Sequence, residues 1–117
     1  MIHTATTRNI FAAAIVTAIG ATGVRIVLKT VGDVSIATLV GGTSSATGPT
    51  VTIPTASLTD DSNAVGGTLS YVMVEPVGLG EVFRYDDVTV LGFTAGQVIA
   101  AADVVDCTGD VTWTAPI

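Results

Sequence analysis

Apolar residues recur along this chain in short segments rich in Val, Ile and Thr, and Gly, Pro, Asp and Ser separate these segments. This is the pattern of β-strands joined by turns. In the first segment, Val24, Ile26 and Leu28 share one face of a strand with a period of two residues. About seven short strands favour an antiparallel β-sandwich or jelly roll, so the predicted fold class is mainly β. The predicted strands span residues 24–31, 34–40, 51–53, 68–75, 81–91, 97–105 and 111–115. Residues 41–49 are predicted to form a loop.

The beginning of the chain has a different pattern, which predicts one short N-terminal α-helix over residues 7–20. Its alanines have the highest intrinsic helix propensity, and the hydroxyl of Thr6 or Thr7 is suited to cap the first turn. The helix could end at Gly20 or Gly23, since glycine readily adopts the left-handed conformation found at helix C-termini. A helix of about 13 residues is marginal in isolation, so we expect one face to pack on a sheet. The residues that share this face are Phe11, Ala14, Ile15, Ala18 and Ile19.

The same segment is also compatible with a secretory signal peptide, because Arg8 precedes an apolar run at residues 10–16. The run is shorter than the roughly 18 consecutive apolar residues that a transmembrane helix requires. We expect the segment to be retained as a short buried helix, and the secretory alternative stays open at this stage.

Composition predicts a single domain, residues 1–117, that hides part of its surface against neighbours. The chain is 49% hydrophobic and 12% charged, and a domain of this size can bury one core without disulfides. Its lone Cys107 cannot form an internal bridge and is expected to be a buried thiol. The net charge is −6 with only four Lys and Arg residues, which disfavours a nucleic-acid partner. All ten carboxylates lie at Asp33 or later, so the N-terminal part is weakly basic.

Few residues are suited to catalysis, and we predict that the chain is not an enzyme and has no cofactor. The only histidine is His3, so a zinc or catalytic constellation would lack a second imidazole. The serines lack a Gly-x-Ser-x-Gly elbow, and the glycines lack a phosphate-loop pattern.

A calcium site is the alternative that the carboxylates leave open. Asp60 and Asp61 with Asn63, or the adjacent Asp86 and Asp87, could direct oxygen ligands at a hard cation. Turns also favour Asp and Asn for backbone reasons, so solvated turns are the preferred interpretation. We therefore assign no metal site.

The aromatic residues have two interpretations. They could form a ligand slot or a carbohydrate platform, but in a small β domain we expect them to be core and interface anchors. The C-terminal segment, residues 111–117, is apolar to its end and could pair with a neighbouring sheet edge or close its own sheet. The aromatic residues considered are Tyr71, Phe83, Tyr85, Phe93 and Trp113.

Three short motifs resemble a known family. They are Thr7-Arg8-Asn9 before the alanine-rich helix, the strand Val24-Arg25-Ile26, and the late turn into a strand at Ala95-Gly96-Gln97-Val98. In order and spacing they resemble the small decoration, or cement, proteins of tailed bacteriophage heads. The resemblance implies a β-sandwich or jelly-roll domain, often trimeric, that lies on the outer capsid surface of the virion. Its partner would be the major capsid protein, whose neighbouring subunits it would bridge.

On this interpretation, four residues are the candidate contacts with the capsid or with other copies. Arg8 and Arg25 would orient the subunit by charge, Phe11 would anchor the helix, and Trp113 would mark an apolar tail. Phe11 and Trp113 could instead lie in the domain's own core. Two other function classes remain as alternatives, a secreted adhesin or pilus subunit and a carbohydrate-binding module of a phage tail.

Overall fold

The computed structural model describes residues 1–117, which form one α-helix and nine β-strands. The helix, α1, spans Ala5–Thr22 and is followed directly by the first strand. Two 3-10 turns, Thr55–Ser57 and Val88–Leu91, interrupt the later part of the chain. The strands are β1 Val24–Lys29, β2 Ser35–Gly41, β3 Ser45–Thr47, β4 Thr50–Ile53, β5 Gly67–Thr68, β6 Tyr71–Pro76, β7 Phe83–Tyr85, β8 Val98–Ile99 and β9 Val111–Thr114.

The strands form antiparallel sheets only. A four-stranded sheet has the order β2-β1-β6-β7, and a three-stranded sheet has the order β3-β4-β9. A two-residue ladder joins β5 to β8. The mainly β, antiparallel architecture with one N-terminal helix is therefore confirmed, and the arrangement is consistent with a β-sandwich.

The alternation predicted for the first strand is confirmed. Val24, Ile26 and Leu28 are all fully buried on one face of β1, while Arg25 between them is exposed. Antiparallel register extends this face across the sheet, because Ile26 lies opposite Leu39 of β2 on one side and Val74 of β6 on the other. The same buried cluster includes members of α1, β4 and β9: Ile19, Ile53 and Val111.

Helix α1 is two residues longer at each end than its predicted range of 7–20. Its N-cap is Thr4, whose hydroxyl oxygen accepts from the Thr7 amide, so the prediction of a Thr6 or Thr7 cap was wrong. Of the two predicted stops, Gly23 ends the helix, whereas Gly20 lies within it, and the ψ of −179° at Gly23 is not that of a left-handed helical residue. Gly23 has a φ of 82°, and a Cβ there would lie 3.0 Å from the carbonyl oxygen of Gly41, so a side chain would be strained and crowded against β2.

The side on which α1 packs was predicted only in part. Ile19 is fully buried and Ile15 is half-buried, as expected, but Phe11 and Ala14 are exposed and Ala12 is buried instead. The helix packs against β3, β4 and β6 through Ala12 and its neighbours one turn away. Both sides of the helix are apolar, so periodicity could not distinguish the buried side from the exposed one. The helix is not long and apolar enough to cross a membrane.

Several predicted strands are shorter than expected, because turns and caps interrupt them. The range 81–91 contains only β7, after which the Asp87 carboxylate accepts from the Thr89 amide and caps a 3-10 turn. The range 97–105 contains only β8, and 68–75 is divided between β5 and β6. The predicted loop at 41–49 contains β3, which pairs with β4.

Candidate association surfaces

One exposed surface runs along the side of α1 that faces away from the sheets, and we call it the helix strip. It is uncharged, and its two largest members are Ile10, which is 60% exposed, and Phe11, which is 38% exposed. The ring of His3 packs edge-on against Phe11 with centroids 5.3 Å apart, which restricts the rotation of Phe11. The helix strip consists of Ile10, Phe11, Ala13, Ala14, Thr17 and Ala21.

The only charged residue of α1 points toward the body of the protein. The Arg8 Nε donates to the carbonyl oxygen of Ala115 at 3.0 Å and so links the helix to the C-terminal segment. This contact fixes how α1 is rotated, with Ala12 inward and Ile10 outward. A helix that is apolar on all sides is normally covered on all sides, so the helix strip is an unusual exposed apolar surface.

A second surface of different chemistry is the outer face of the four-stranded sheet, which we call the charged sheet face. It carries three of the four cationic side chains, each beside an acceptor. Arg25 and Glu75 lie directly opposite each other on β1 and β6, with Nη1 and Oε1 3.5 Å apart. The Lys29 Nζ donates to the carbonyl oxygen of Asp33 at 3.4 Å. Contacts of this kind at the surface contribute little to the free energy of unfolding, but they restrict the positions of the charged side chains.

Arg84 completes the charged sheet face at its β7 edge. Its guanidinium donates twice to the carboxylate of Glu81, at 2.7 and 2.8 Å, and lies 4.3 Å from the ring centre of Tyr71. The carboxylate of Glu81 raises the pKa of Arg84. The Tyr71 hydroxyl donates to Asp33 at 2.6 Å, and that carboxylate raises the pKa of Tyr71. The arginine is therefore held in one orientation over the ring.

A third surface, the outer face of the three-stranded sheet, carries only hydroxyl side chains. The register aligns two rows of three across β3, β4 and β9. In one row the hydroxyls of Thr50 and Thr114 are 2.9 Å apart. Cross-strand Thr pairs of this kind are ordinary stabilising contacts of a sheet face. The rows are Ser45, Thr52 and Thr112, and Thr47, Thr50 and Thr114.

The four predicted contact residues lie on different parts of the molecule. Phe11 and Arg25 are exposed, one on the helix strip and one on the charged sheet face. Arg8 is half-buried and Trp113 is half-buried in a stack on Phe83, with ring centroids 5.9 Å apart. The structure therefore leaves two of the four available for a partner and gives the other two contacts within the chain.

The C-terminal segment closes its own sheet. Strand β9 pairs with β4, so that Trp113 lies opposite Val51. On its other edge, the Tyr85 hydroxyl accepts from the Thr112 amide at 2.6 Å and also donates to the Thr112 carbonyl oxygen. One side chain thus satisfies both backbone groups that this residue presents to the edge.

Two of the carboxylates considered for calcium accept from backbone amides. The two oxygens of Asp61 accept from the amides of Thr38 and Asn63, each at 2.8 Å. Asp87 accepts from the amide and hydroxyl of Thr89, and these hydrogen bonds lower the pKa of Asp87. No three metal-ligating side chains converge anywhere in the structure. Asp61 and Asp87 therefore act as turn and cap residues.

The cavities and the thiol show no catalytic arrangement. The better-formed cavity, about 140 Å³, has Phe93 and the carboxylates of Asp103 and Asp106 in its lining. Cys107 is buried, its Sγ donates to the carbonyl oxygen of Gly109 at 3.0 Å, and burial raises the pKa of the thiol. A thiol with a raised pKa is a poor nucleophile. Because its side chain is buried in the main apolar cluster, Cys107 is a core residue.

Comparison with known proteins adds no relative. No protein family, no characterised protein and no solved structure matches the chain. Of the helix strip, sequence reasoning predicted only Phe11 as a contact residue and missed the five others. The signal that could have indicated them is the absence of charge at every position of α1 after Arg8.

Proposed function

We propose that this chain is a non-enzymatic structural virion protein that binds the outer surface of a phage capsid and stabilises it by bridging neighbouring major capsid subunits. The observation that carries the proposal is the presence of two separate faces with exposed side chains, the helix strip and the charged sheet face. A protein that bridges two neighbours needs two attachment surfaces. The resemblance of the Thr7-Arg8-Asn9 and Val24-Arg25-Ile26 segments to phage decoration proteins favours this class of partner.

The two faces suit different tasks. The helix strip has no charge, so contacts through it depend on burial of apolar surface and are insensitive to salt. The charged sheet face has side chains whose positions are fixed by pairing, which favours orientation and specificity over raw affinity. On this proposal the side chain of Arg25, which is 45% exposed, makes the shell contact.

The contacts of the carboxylates and of the thiol also support a structural role. Asp61 and Asp87 are engaged by backbone amides, and Cys107 is buried in the core. A binding function needs no activated nucleophile or general base, whereas an enzyme does. Within the mainly β class, we propose that the fold is a jelly-roll-like sandwich, as in decoration proteins. Self-association would let each copy contact a different capsid subunit.

Co-sedimentation with purified capsid shells tests the proposal. Shells are incubated with increasing amounts of the protein and pelleted, and the bound fraction is measured at low and high salt. We expect saturable binding at a fixed ratio to the major capsid protein. Arg25→Gln should weaken binding several-fold at low salt, because it removes a steering charge. Asp106→Asn is the matched control, since it also neutralises an exposed charge but lies away from both faces.

Two results would contradict the proposal. One is a well-folded protein that never pellets with shells at any concentration or salt. The other is binding that rises without saturation and is equal for the Arg25 and Asp106 variants, which would indicate non-specific adsorption. Binding of the same protein to glycans would instead favour the carbohydrate-binding alternative.

A further inference from the structure

We infer that the helix strip is covered by the helix strip of a second copy of this chain, so that copies join through α1 and leave the charged sheet face free. The inference deepens the proposed function and rests on it, because joining copies is what turns one shell contact per chain into a bridge. It also assigns Phe11 to self-association and Arg25 to the shell.

The spacing of the strip residues favours a helix as the occupant. Ile10, Ala14, Thr17 and Ala21 follow one another at intervals of four, three and four residues. This is the spacing with which one helix presents a seam to another. The alanine side chains on the seam are small, so two helix axes can approach to about 8 Å, the lower end of the usual range.

The distribution of charge makes α1 the side on which a second copy can approach without meeting like charges. Each chain has a net charge of −6, so two copies repel each other in most orientations. Helix α1 carries no carboxylate, and its one cation, Arg8, is turned to the carbonyl oxygen of Ala115. When two copies approach along α1, two uncharged surfaces meet. No charged side chain is then buried in the contact without a partner.

The area of the contact predicts its strength. The helix strip runs from Ile10 to Ala21, which is about 18 Å of helix, and at a width of about 10 Å it covers roughly 180 Å² per copy. Stable interfaces bury about 800 Å² per partner. Self-association through α1 is therefore weak in dilute solution and becomes persistent when shell binding raises the effective concentration of the copies.

Sedimentation velocity over a wide range of protein concentration tests the inference without shells. We expect wild type to shift from monomer to a larger species as concentration rises. Ala14→Glu should reduce the association constant at least tenfold, because it places a carboxylate in the seam. Ala5→Glu is the matched control on the same helix. Ala5 is exposed and lies nine residues, or two and a half turns, from Ala14, which places it on the opposite side of the helix, so this variant should associate like wild type.

Cross-linking gives a second readout that does not depend on stability. With a short bifunctional thiol reagent, Ala14→Cys should form cross-linked dimers. Ala5→Cys, on the opposite side of the helix, should not, since the native Cys107 is buried. The inference is overturned if wild type stays monomeric at all concentrations, or if the two glutamate variants associate equally.

The outcomes separate this inference from the proposed function. If Ala14→Glu and wild type are both monomers and only the variant fails to pellet with shells, the helix strip is a shell contact and the self-association is wrong. If wild type associates through the strip but never binds shells, the self-association holds and the capsid function is wrong.

Discussion

The inward and outward sides of α1 are both apolar, yet they have opposite environments. Inward, Ala12 and Ile19 have no exposed surface; outward, Ile10 is 60% exposed and Ala14 is also open to solvent. The difference does not come from residue type, because Ile lies on both sides. It comes from the contacts at the two ends, the Arg8 bond to Ala115 and the tight turn at Gly23. These contacts select which apolar side joins the core and which is left exposed to solvent.

The largest expected effect is the contrast between Ile19→Ala and Ile10→Ala. Ile19 belongs to the main buried cluster, so its truncation leaves a cavity and should lower the free energy of unfolding by about 3 kcal/mol. The same truncation at Ile10 removes exposed surface and should change it by less than about 0.5 kcal/mol. Chemical denaturation of dilute protein measures both. Equal losses would mean that the two sides of α1 are buried alike.

Replacing Arg8, which fixes the rotation of α1, should lower the free energy of unfolding more than replacing Arg25 on the charged sheet face. Arg8→Ala removes a partly buried charged donor from the Ala115 carbonyl oxygen and should cost about 1.5 kcal/mol of unfolding free energy. Arg25→Ala removes an exposed pair with Glu75 and should cost about 0.5 kcal/mol or less. Thermal and urea unfolding give the values. A smaller loss for Arg8 than for Arg25 would remove the proposed cause of the helix orientation.

A substitution on the outward side should stabilise the fold. Gly20 lies within α1, and a Cβ there would meet no atom within 4 Å. Gly20→Ala should therefore raise the free energy of unfolding by about 0.7 kcal/mol, because it reduces the conformational entropy of the unfolded chain. The melting temperature measures this change. A decrease would show that the outward side is more crowded than the structure indicates.

The smallest effect concerns pH, and it contrasts the two helix caps. Thr4 caps α1 with a hydroxyl that does not titrate in the working range, whereas Asp87 caps the 3-10 turn with a carboxylate whose pKa is lowered by Thr89. A lowered folded pKa means that this stabilisation is present above the unfolded pKa, about 3.9, and is lost as pH falls through the folded value. Asp87→Asn should remove that part of the acid dependence.

Urea unfolding of wild type and Asp87→Asn between pH 2 and 6 measures the difference. The two curves should diverge most at the upper end of this range and converge at the lower end. Parallel curves throughout would show that the Asp87 contact with Thr89 is absent in solution.

The elements with a clean two-residue alternation could be predicted from the sequence. Val24, Ile26 and Leu28 were placed on one buried face because Arg25 and Lys29 interrupt the apolar pattern. The range 81–91 failed because its end depends on the Asp87 side chain, which competes with strand pairing for the backbone amides. The N-cap could not be predicted either, because Thr4, Thr6 and Thr7 have the same intrinsic preference for that position.

The candidate surfaces were harder to predict than the fold. Arg25 and Glu75 face each other only because β1 and β6 pair in a particular register, and sequence separation gives no hint of it. The helix strip could not be assigned because Phe11 and Ile19 are equally suited to a core by composition. Trp113 was a candidate contact for the same reason, and its stack on Phe83 is a contact between residues distant in sequence.

We propose that this protein stabilises a shell by bridging its subunits. The most direct test is the temperature at which capsid shells come apart, measured by light scattering, with and without a saturating amount of the protein. We expect a higher disassembly temperature with wild type and a smaller increase with Ala14→Glu at equal occupancy. An unchanged disassembly temperature at full occupancy would contradict it.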